Sequence, residues 1–414
     1  MKRPLMSNQQ YLRTKNRQQI INLIREQNPI SRIELSKKTG LNPSTITHIV
    51  NSLIKQRLVI EKNLGNSKKG RRPILLEFDS KAFNVVGVDF GTSKIITALL
   101  DPNAKILAKI EKPIKKRLND SEAVQLIIHT IKKIADENDF GLQKVLGIGL
   151  GIPGLVDTGA GISLDTLHHN WKNLPIKSII EKEFRLPTLV DNDSNAMALG
   201  EFWFGIGQKV KNLVFINIGG GIGSGIVING EIYRGFTESA GEIGHSTVQR
   251  DGPKCVCGNY GCLEALASGP AIARQTVKAI KNGTKTIIKD LVRGNLEEIT
   301  AELVYKAARQ GDQLALDALN EAGEYLGIGI ANVIDHFDPE MIIIGGGVAR
   351  AGDLILEPAK RIAKEKAWDL PAKKVKIVPS VLRKEAGVIG AATLILKQVF
   401  YPEENHIYGL RLAL

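Results

Sequence analysis

The sequence predicts an α/β protein with a ligand cleft, preceded by a smaller, mainly helical N-terminal domain. Three apolar strands each run into a glycine-rich turn, at 151–154, 219–225 and 345–347, and helical stretches separate them. Strands that alternate with helices build sheets covered by helices, and glycine turns at strand ends leave room for a ligand. The first eighty residues instead show short capped helices and carry most of the net charge.

The length and composition suit a globular protein of several domains. The chain has 414 residues, of which 43% are hydrophobic and 24% charged, so two or three domains are expected. It contains no run of about 18 apolar residues, and Met1 to Pro4 lead into polar residues rather than into an apolar secretory segment. We therefore expect a cytoplasmic protein without a membrane partner.

Nearly all of the net charge of +13 lies in the first fifth of the chain. Residues 1–80 hold 16 Lys and Arg against 5 Asp and Glu, whereas the remainder holds 40 against 38. This asymmetry indicates a polyanionic partner for the N-terminal segment alone, and the alternative is a solvated basic face.

Three short helices are predicted in this basic segment. The first ends before Asn28-Pro29. Ser31 and Glu34 have the spacing of a capping box and begin the second, which ends at Gly40. Asn42 is placed to cap the third, with a proline at its first position.

The third helix combines an apolar face with a polar one. The apolar face has helical spacing and comprises Ile46, Ile49, Val50 and Leu53. The opposite face carries short hydrogen-bonding side chains and one cation, namely Ser44, Thr45, Thr47, His48, Asn51 and Lys55. Side chains of these kinds suit base edges and phosphates in a major groove. A helix, a glycine-containing turn and a polar-faced helix form a helix-turn-helix. The alternative for such a face alone is an ordinary solvated surface.

A wing is predicted to follow this motif. Two strands, at 58–60 and 73–76, flank a basic tip at 66–72. The cations of the tip are placed to reach phosphates or a minor groove, and they are Lys68, Lys69, Arg71 and Arg72. With the helices and the charge asymmetry, the wing predicts binding to double-stranded DNA.

The large domain begins near Asn84. Strands at 85–89 and 94–100 form a predicted hairpin whose small-residue turn would let backbone amides approach phosphate. Further strands are predicted at 145–150, 186–190, 213–218 and 341–344, and helices at 121–138, 271–280 and 315–333. The segment 191–195, Asp-Asn-Asp-Ser-Asn, offers carboxylates and amides for sugar hydroxyls or for proton transfer. It suits a polar turn that caps a helix equally well.

The most specific signal is a set of four potential metal ligands. His245, Cys255, Cys257 and Cys262 have the spacing H-x9-C-x-C-x4-C. The chain contains no cysteines other than these three. Four such ligands within eighteen residues suit a tetrahedral structural Zn²⁺ with no open position. The alternative is three buried free thiols beside a core histidine.

Residues 241–245 and 255–264 resemble the signature of the ROK family of repressors and sugar kinases, and the resemblance extends over essentially the whole chain. It implies an actin-like, two-lobed sugar-kinase fold behind a winged helix-turn-helix domain, which kinase members lack. The implied domains are the winged helix at 1–80, a first lobe at 81–193 completed by 386–414, and a second lobe with the zinc site at 194–385. The implied sugar contacts are Asn192, Asp193, Glu242, His245 and Glu264, with Gly151 beside them.

Two turns depart from the pattern of the kinases in this family. Their first turn resembles DxGGTK, where this chain has Thr92 and Ser93 in place of Gly-Thr. Their second resembles GTGxGGG, where Gly220 replaces the threonine and Ser224 a glycine. Because these turns would hold ATP phosphates, retained sugar residues with altered turns favour sensing over phosphorylation.

The sequence therefore predicts a homodimeric or larger repressor of carbohydrate-utilisation genes rather than an enzyme. It would bind operator DNA and a monosaccharide effector. The architecture most resembles that of xylose repressors, although responders to glucose or N-acetylglucosamine look similar. Two alternatives stay open. One is an ATP-dependent or bifunctional sugar kinase, because Asp193 matches the catalytic base of the family. The other is a metal sensor.

Overall fold

The computed structural model describes residues 8–64, 73–114, 116–137 and 144–400. Within these ranges the α-helices are α1 (Asn8–Glu26), α2 (Arg32–Thr39), α3 (Pro43–Lys55), α4 (Asp120–Asp136), α5 (Ile176–Phe184), α6 (Asp193–Phe204), α7 (Leu263–Ala267), α8 (Gly269–Lys281), α9 (Ile288–Leu291), α10 (Ala301–Ala308), α11 (Gln313–Phe337), α12 (Asp353–Lys366), α13 (Asp369–Lys374) and α14 (Ala386–Phe400). The strands are β1 (Ile30–Ser31), β2 (Val59–Leu64), β3 (Ile74–Phe78), β4 (Asn84–Phe90), β5 (Lys94–Leu100), β6 (Ile106–Pro113), β7 (Val145–Ile152), β8 (Leu155–Asp157), β9 (Ile162–Asp165), β10 (Lys172–Leu174), β11 (Thr188–Asn192), β12 (Leu213–Ile218), β13 (Ile222–Ile228), β14 (Glu231–Ile232), β15 (Met341–Gly345) and β16 (Lys376–Pro379).

The N-terminal head, α1 to β3, has the helices that the sequence predicts. Ser31 Oγ accepts a hydrogen bond from Glu34 N at 3.2 Å, and Glu34 Oε2 accepts one from Ser31 N at 2.8 Å, which confirms the capping box. Asn42 Oδ1 accepts from Thr45 N at 2.8 Å and caps α3. Strand β1 was not predicted; it pairs with β3, so the small sheet has the order β1-β3-β2.

The described part of the large domain contains two five-stranded sheets with the same topology and a small third sheet of order β10-β9-β8. In the first, the order is β11-β7-β4-β5-β6, with β11, β7 and β4 parallel and a β4–β5 hairpin. In the second, the order is β14-β13-β12-β15-β16, with β12, β15 and β16 parallel and a β12–β13 hairpin. This repetition builds two similar lobes. The glycine-rich turns predicted at 151–154, 219–225 and 345–347 lie at the ends of β7, β12 and β15, although 151–152 still belong to β7 and 222–225 to β13. The strand predicted at 186–190 is β11, which lies two residues further on.

Helix α14 packs on the first sheet although it follows the second lobe in the chain. Two strand glycines make this contact possible. A Cβ built on Gly149 would lie 1.8 Å from the carbonyl oxygen of Ala391, and one on Gly87 would lie 2.2 Å from that of Val388. The close approach buries one face of β4 and β7 against α14 and thereby returns the end of the described chain to the first lobe.

The head rests on the large domain through α1. The guanidinium carbon of Arg25 lies 4.2 Å from the ring centroid of Trp203 and 5.0 Å from that of Phe400. Asn22 Nδ2 donates to the carbonyl oxygen of Phe400 at 3.4 Å, and the rings of Phe78 and Phe400 lie 5.2 Å apart. The apolar core of the head is therefore continuous with that of α6 and α14. Among the described residues, no helix has both the length and the apolar character needed to cross a membrane.

Candidate functional site

A cleft of about 1160 Å³ opens between the two lobes. Its walls include the five predicted sugar contacts, which are Asn192, Asp193, Glu242, His245 and Glu264. Gly151 is not among the lining residues that the structure describes. A Cβ built on it would lie 3.5 Å from Cα of Asp193, so Gly151 packs behind Asp193 and lets α6 approach the sheet.

The turn from β11 into α6 presents Asp193 to the cleft. Asn192 Oδ1 accepts from Ser194 N at 2.8 Å and caps α6, while Asn192 Nδ2 donates to the carbonyl of Gly154 at 3.0 Å. Asp193 is the first residue of the helix, and its Oδ1 accepts from Ser194 N at 2.7 Å. The segment 191–195 therefore caps α6, as one of the two interpretations of the sequence predicts, and it places the carboxyl group of Asp193 in the wall of the cleft. Sugar contact by this segment stays a prediction.

Asp193 at this turn and Asp89 at the end of β4 have raised pKa values. Burial, helped by the nearby Glu242 and opposed by the hydrogen bonds from Ser194, raises the pKa of Asp193 to about 6. Burial, followed by the proximity of Asp193, raises the pKa of Asp89 to about 7. An acid with a pKa near 6 can exchange a proton with a hydroxyl at neutral pH, so Asp193 keeps the chemistry of a general base.

The opposite wall carries Glu242, His245 and Glu264. His245 Nε2 lies 3.9 Å from Glu242 Oε2, on the cleft side of the imidazole. Glu264 is 5% exposed, and its Oε2 accepts from Ile222 N at 2.9 Å. Burial and then Glu264 raise the pKa of Glu242 against the effect of His245. Acidic groups from both lobes therefore face one cleft, which suits a ligand rich in hydroxyl groups.

The other nitrogen of His245 faces the cysteine cluster. One ligand atom from each of His245, Cys255, Cys257 and Cys262 lies within 4.8 Å of the others. His245 Nδ1 is 3.6 Å from Cys255 Sγ, and the sulfurs of Cys257 and Cys262 are 3.7 Å apart. Tetrahedral ligands at a Zn–S distance of 2.3 Å would be separated by about 3.8 Å.

The proximity of the three thiols favours a cation at this position. Burial, followed by the neighbouring thiols, raises the pKa of Cys262 to about 12. Three thiolates so close together would repel one another, and a divalent cation removes this repulsion. The four residues therefore fit a metal ion in spacing and in donor chemistry.

The two turns that depart from the kinase pattern contact each other. A Cβ built on Gly220 would lie 2.3 Å from Oγ1 of Thr92, so the hydroxyl of Thr92 occupies the space that a side chain at 220 would need. Ser224 Oγ instead donates to the carbonyl of Gly241 at 2.7 Å. This bond holds the segment that carries Glu242, so Ser224 supports the acidic wall.

The predicted DNA-contacting face of α3 is accessible. Ser44, Thr47, His48, Asn51 and Lys55 are exposed, and Thr45 is half-buried. The opposite positions Ile46, Val50 and Leu53 are fully buried. Asn51 Oδ1 accepts from Arg32 Nη2 at 3.2 Å. The predicted wing cations Lys68, Lys69, Arg71 and Arg72 lie outside the described residues.

Sequence reasoning missed several residues of the cleft and its supports. His168 lines the cleft from the loop between β9 and β10. Asp191 is 2% exposed and pairs with Arg234 Nη2 at 2.5 Å, which ties the loop before Glu242 to the first lobe. The only local signal for His168 was the pair of consecutive histidines before Trp171, which has no recognisable spacing to the other ligands.

Comparisons with known proteins agree with this architecture. The profile of the ROK family matches residues 85–398, and that of a winged helix-turn-helix DNA-binding domain matches residues 13–60. The xylose repressor of Caldicellulosiruptor bescii is 33% identical over 399 residues, covering 96% of this chain and 100% of the relative.

Two solved structures show the same fold. One is a ROK family transcriptional regulator described as a homolog of the E. coli MLC protein. It superposes with a TM-score of 0.81 at 33% identity, covering 94% of this chain and 97% of that one. The other is a ROK family glucokinase from Streptomyces griseus in complex with glucose and AMPPNP. It superposes with a TM-score of 0.69 at 31% identity and covers 75% of this chain and 98% of that one.

Proposed function

Because this chain belongs to the ROK family, we propose that it is a sugar-responsive, DNA-binding transcriptional repressor of carbohydrate-utilisation genes and not an enzyme. One observation carries the proposal. A winged helix with an exposed polar face shares a continuous core with a cleft lined by acidic side chains. A relative named a xylose repressor matches 96% of this chain, head included. Xylose is therefore the first effector to test.

The bound monosaccharide would lie between the lobes proposed at 81–193, completed by 386–414, and at 194–385. Asn192 and Asp193 would contact it from the first lobe, and Glu242, His245 and Glu264 from the second. Gly151 would support Asp193 from behind, because its lack of a side chain allows the approach of α6. A ligand held by both lobes stabilises the closed cleft, and it does so only by its higher affinity for that state.

Helix α6 offers a direct path from the sugar to the head. It begins at Asp193 in the cleft and ends at Phe204, beside Trp203, on whose ring Arg25 of α1 rests. Twelve helical residues span about 18 Å. A shift of α6 on sugar binding would therefore move Trp203, the surface on which the head packs. A coupling free energy of about 1–3 kcal/mol between sugar binding and DNA binding is typical of such systems.

Zinc would be held by His245 Nδ1 and by the thiolates of Cys255, Cys257 and Cys262. When bound, it would supply a structural crosslink with no open coordination position. Ligation through Nδ1 would keep the ring in the orientation seen here, in which Nε2 faces Glu242 in the cleft. Elemental analysis of purified protein should give about one zinc per chain, and Cys257→Ser should lower both the zinc content and the sugar affinity.

DNA binding would use α3 in a major groove and the wing on the flanking backbone. Base contacts are proposed for the exposed face of α3, that is for Ser44, Thr45, Thr47, His48, Asn51 and Lys55. Phosphate contacts are proposed for Lys68, Lys69, Arg71 and Arg72. A homodimer would place two such heads on a palindromic operator with half-sites one or more helical turns apart.

Gel-shift titrations of the full chain test the proposal. The DNA would be a duplex that the full chain selects from a random-sequence library, with a shuffled duplex as control and with D-xylose, D-glucose or N-acetylglucosamine added separately. We expect specific binding that one sugar changes by at least about fivefold. Operator affinity unaffected by any sugar of a broad panel would overturn the sensing role.

The alternative of a sugar kinase has one specific observation in its favour. Asp193 lies in the cleft with a pKa of about 6, as a base toward a hydroxyl requires. The altered turns weigh against it, because Gly220 lacks the threonine hydroxyl of the kinase pattern and Thr92 adds a side chain to the first turn. A coupled assay of ATP consumption in the presence of each sugar distinguishes the two functions. Sugar-dependent phosphorylation that Asp193→Asn abolishes would establish the kinase.

A further inference from the structure

Two consecutive histidines in the loop between β9 and β10 point in different directions. His169 is 3% exposed, and its ring lies 5.3 Å from that of Phe90 and 5.4 Å from that of Trp171. Its Nδ1 accepts from Leu118 N at 3.4 Å. His169 therefore anchors the loop in the first lobe, and the adjacent His168 extends into the cleft.

His168 reaches the acidic wall of the second lobe. A Cβ built on Gly221 would lie 2.9 Å from His168 Nε2 and 2.5 Å from Glu264 Oε2. The two side chains thus flank one small space, which stays open because residue 221 is a glycine. Neither sequence reasoning nor the family signature includes His168 among the sugar contacts.

We propose that His168 is a sugar-binding residue that donates a hydrogen bond from the first lobe to a hydroxyl group bound by Glu264 in the second. The inference rests on the proposed function, since it assumes a monosaccharide in this cleft. It adds a determinant of sugar selectivity and a contact that forms fully only when both lobes hold the ligand.

The balance of donors and acceptors in the cleft supports this role. A sugar hydroxyl both donates and accepts, whereas the carboxylates of Asp193, Glu242 and Glu264 only accept. The amide group of Asn192 is already committed, since its Nδ2 donates to the carbonyl of Gly154. His168 adds a side-chain donor to the first-lobe wall at the point that faces Glu264.

The ring of His168 is available for this bond. Within the described part of the chain, neither ring nitrogen of His168 has a hydrogen-bond partner. Burial lowers the pKa of His168, Glu264 opposes this effect, and Arg117 and His245 add to it. A neutral imidazole has one donor and one acceptor nitrogen, which matches a hydroxyl.

Isothermal titration of the full, zinc-loaded chain with D-xylose, D-glucose and N-acetylglucosamine tests the inference. The variants are His168→Ala, which removes the donor, and His168→Asn, which keeps one. The matched control is Asn170→Ala, an exposed residue of the same loop outside the cleft lining. We expect Kd for the best sugar to rise about tenfold or more in His168→Ala, as for one lost hydrogen bond to a bound ligand. It should rise less in His168→Asn and stay unchanged in Asn170→Ala.

Three further readouts separate binding from folding. The Tm without sugar, the zinc content and the operator affinity without sugar should be the same in wild type and His168→Ala. Unchanged sugar affinity in His168→Ala, with a wild type that binds sugar, would overturn the inference alone. A wild type that binds no sugar of the panel would overturn the proposed function and the role of His168 with it.

Discussion

Thr92 and Gly220 are matched in size across two turns that come from different lobes. Oγ1 of Thr92 lies 2.3 Å from where a Cβ on Gly220 would be, closer than any side-chain contact tolerates. The kinase pattern has the opposite arrangement, a glycine in the first turn and a threonine in the second. Two of the four departures from that pattern, at 92 and 220, therefore complement each other in size, because a side chain is present in one turn and absent from the other.

This pairing predicts non-additive stability effects. Gly220→Thr should lower the free energy of unfolding by about 1–3 kcal/mol, because it overpacks the contact with Thr92. Thr92→Gly should cost less, and Thr92→Gly combined with Gly220→Thr should recover most of the loss. Urea unfolding of the four proteins gives the coupling energy directly. Additive effects of the two substitutions would contradict the pairing.

The raised pKa of Asp89 predicts that the free energy of unfolding decreases as the pH rises. Its pKa is raised to about 7 in the folded protein by burial and by Asp193, whereas it is about 3.9 in the unfolded chain. Between these values the folded state binds more protons, so the free energy of unfolding falls as pH rises and levels off above about 7. The full effect is at most about 4 kcal/mol.

The isosteric variant Asp89→Asn removes this titration. Its unfolding free energy, measured by urea titration between about pH 5.5 and 8, should vary less with pH than that of the wild type. Asp193 titrates in the same direction with a pKa of about 6, so a weaker pH dependence should persist in the variant. Equal slopes in both proteins would show that Asp89 is already ionised across this range.

At the scale of secondary-structure elements, local patterns were predictable and long-range ones were not. The capping box of α2 and the cap of α3 lie within three or four residues of sequence, and the structure confirms both. The metal ligands lie within eighteen residues, so their spacing alone brought them together. Strand β1 was missed because its two residues form a strand only through pairing with β3.

The cleft shows the same limit. Asp193 and Glu242 were identified through motifs and not through any visible proximity in sequence. His168 belongs to no motif, and its position opposite Glu264 follows from how two lobes meet across nearly a hundred residues of chain. Likewise, the contact of α14 with β7 depends on Gly149 and Ala391, whose pairing no local pattern reveals.

Substitutions in the wing and in α3 are expected to change DNA binding in different ways. Arg71→Ala with Arg72→Ala should weaken binding to all duplexes and lower the slope of log Kd against log salt by up to about 2, because two phosphate contacts are lost. Asn51→Ala on α3 should instead reduce the preference for operator over shuffled DNA and leave the slope nearly unchanged.

Fluorescence anisotropy at several salt concentrations measures both quantities. Lys285→Ala with Lys289→Ala is the matched control, since it removes two exposed cations of the second lobe. An unchanged salt slope after loss of both wing arginines would show that the wing does not touch phosphate.

At the scale of the whole molecule, the head packs on the large domain through a defined interface. Arg25 has a side-chain exposure of 12% and stacks on Trp203 and Phe400, which belong to α6 and α14. Helix α6 carries Asp193 at its other end, and α14 packs on the first lobe. One arginine of the DNA-binding head therefore contacts the two helices that connect it with the cleft.

This arrangement predicts that Arg25→Ala uncouples the sugar from the operator. Sugar affinity should stay within about twofold of wild type, because Arg25 lies a helix length from the cleft. The ratio of operator affinities with and without sugar, about 5 to 150 for a coupling of 1–3 kcal/mol, should fall toward one. Arg25→Lys, which keeps the charge but loses the planar stacking, should give an intermediate ratio. Lys15→Ala, which removes an exposed cation of α1, should keep the wild-type ratio. Gel shifts with and without the effector, combined with titration calorimetry, give both affinities for each variant. If Arg25→Ala leaves the ratio of operator affinities with and without sugar unaltered, the contact of Arg25 with Trp203 and Phe400 is dispensable for coupling. Sugar binding would then affect the head by another route than α6.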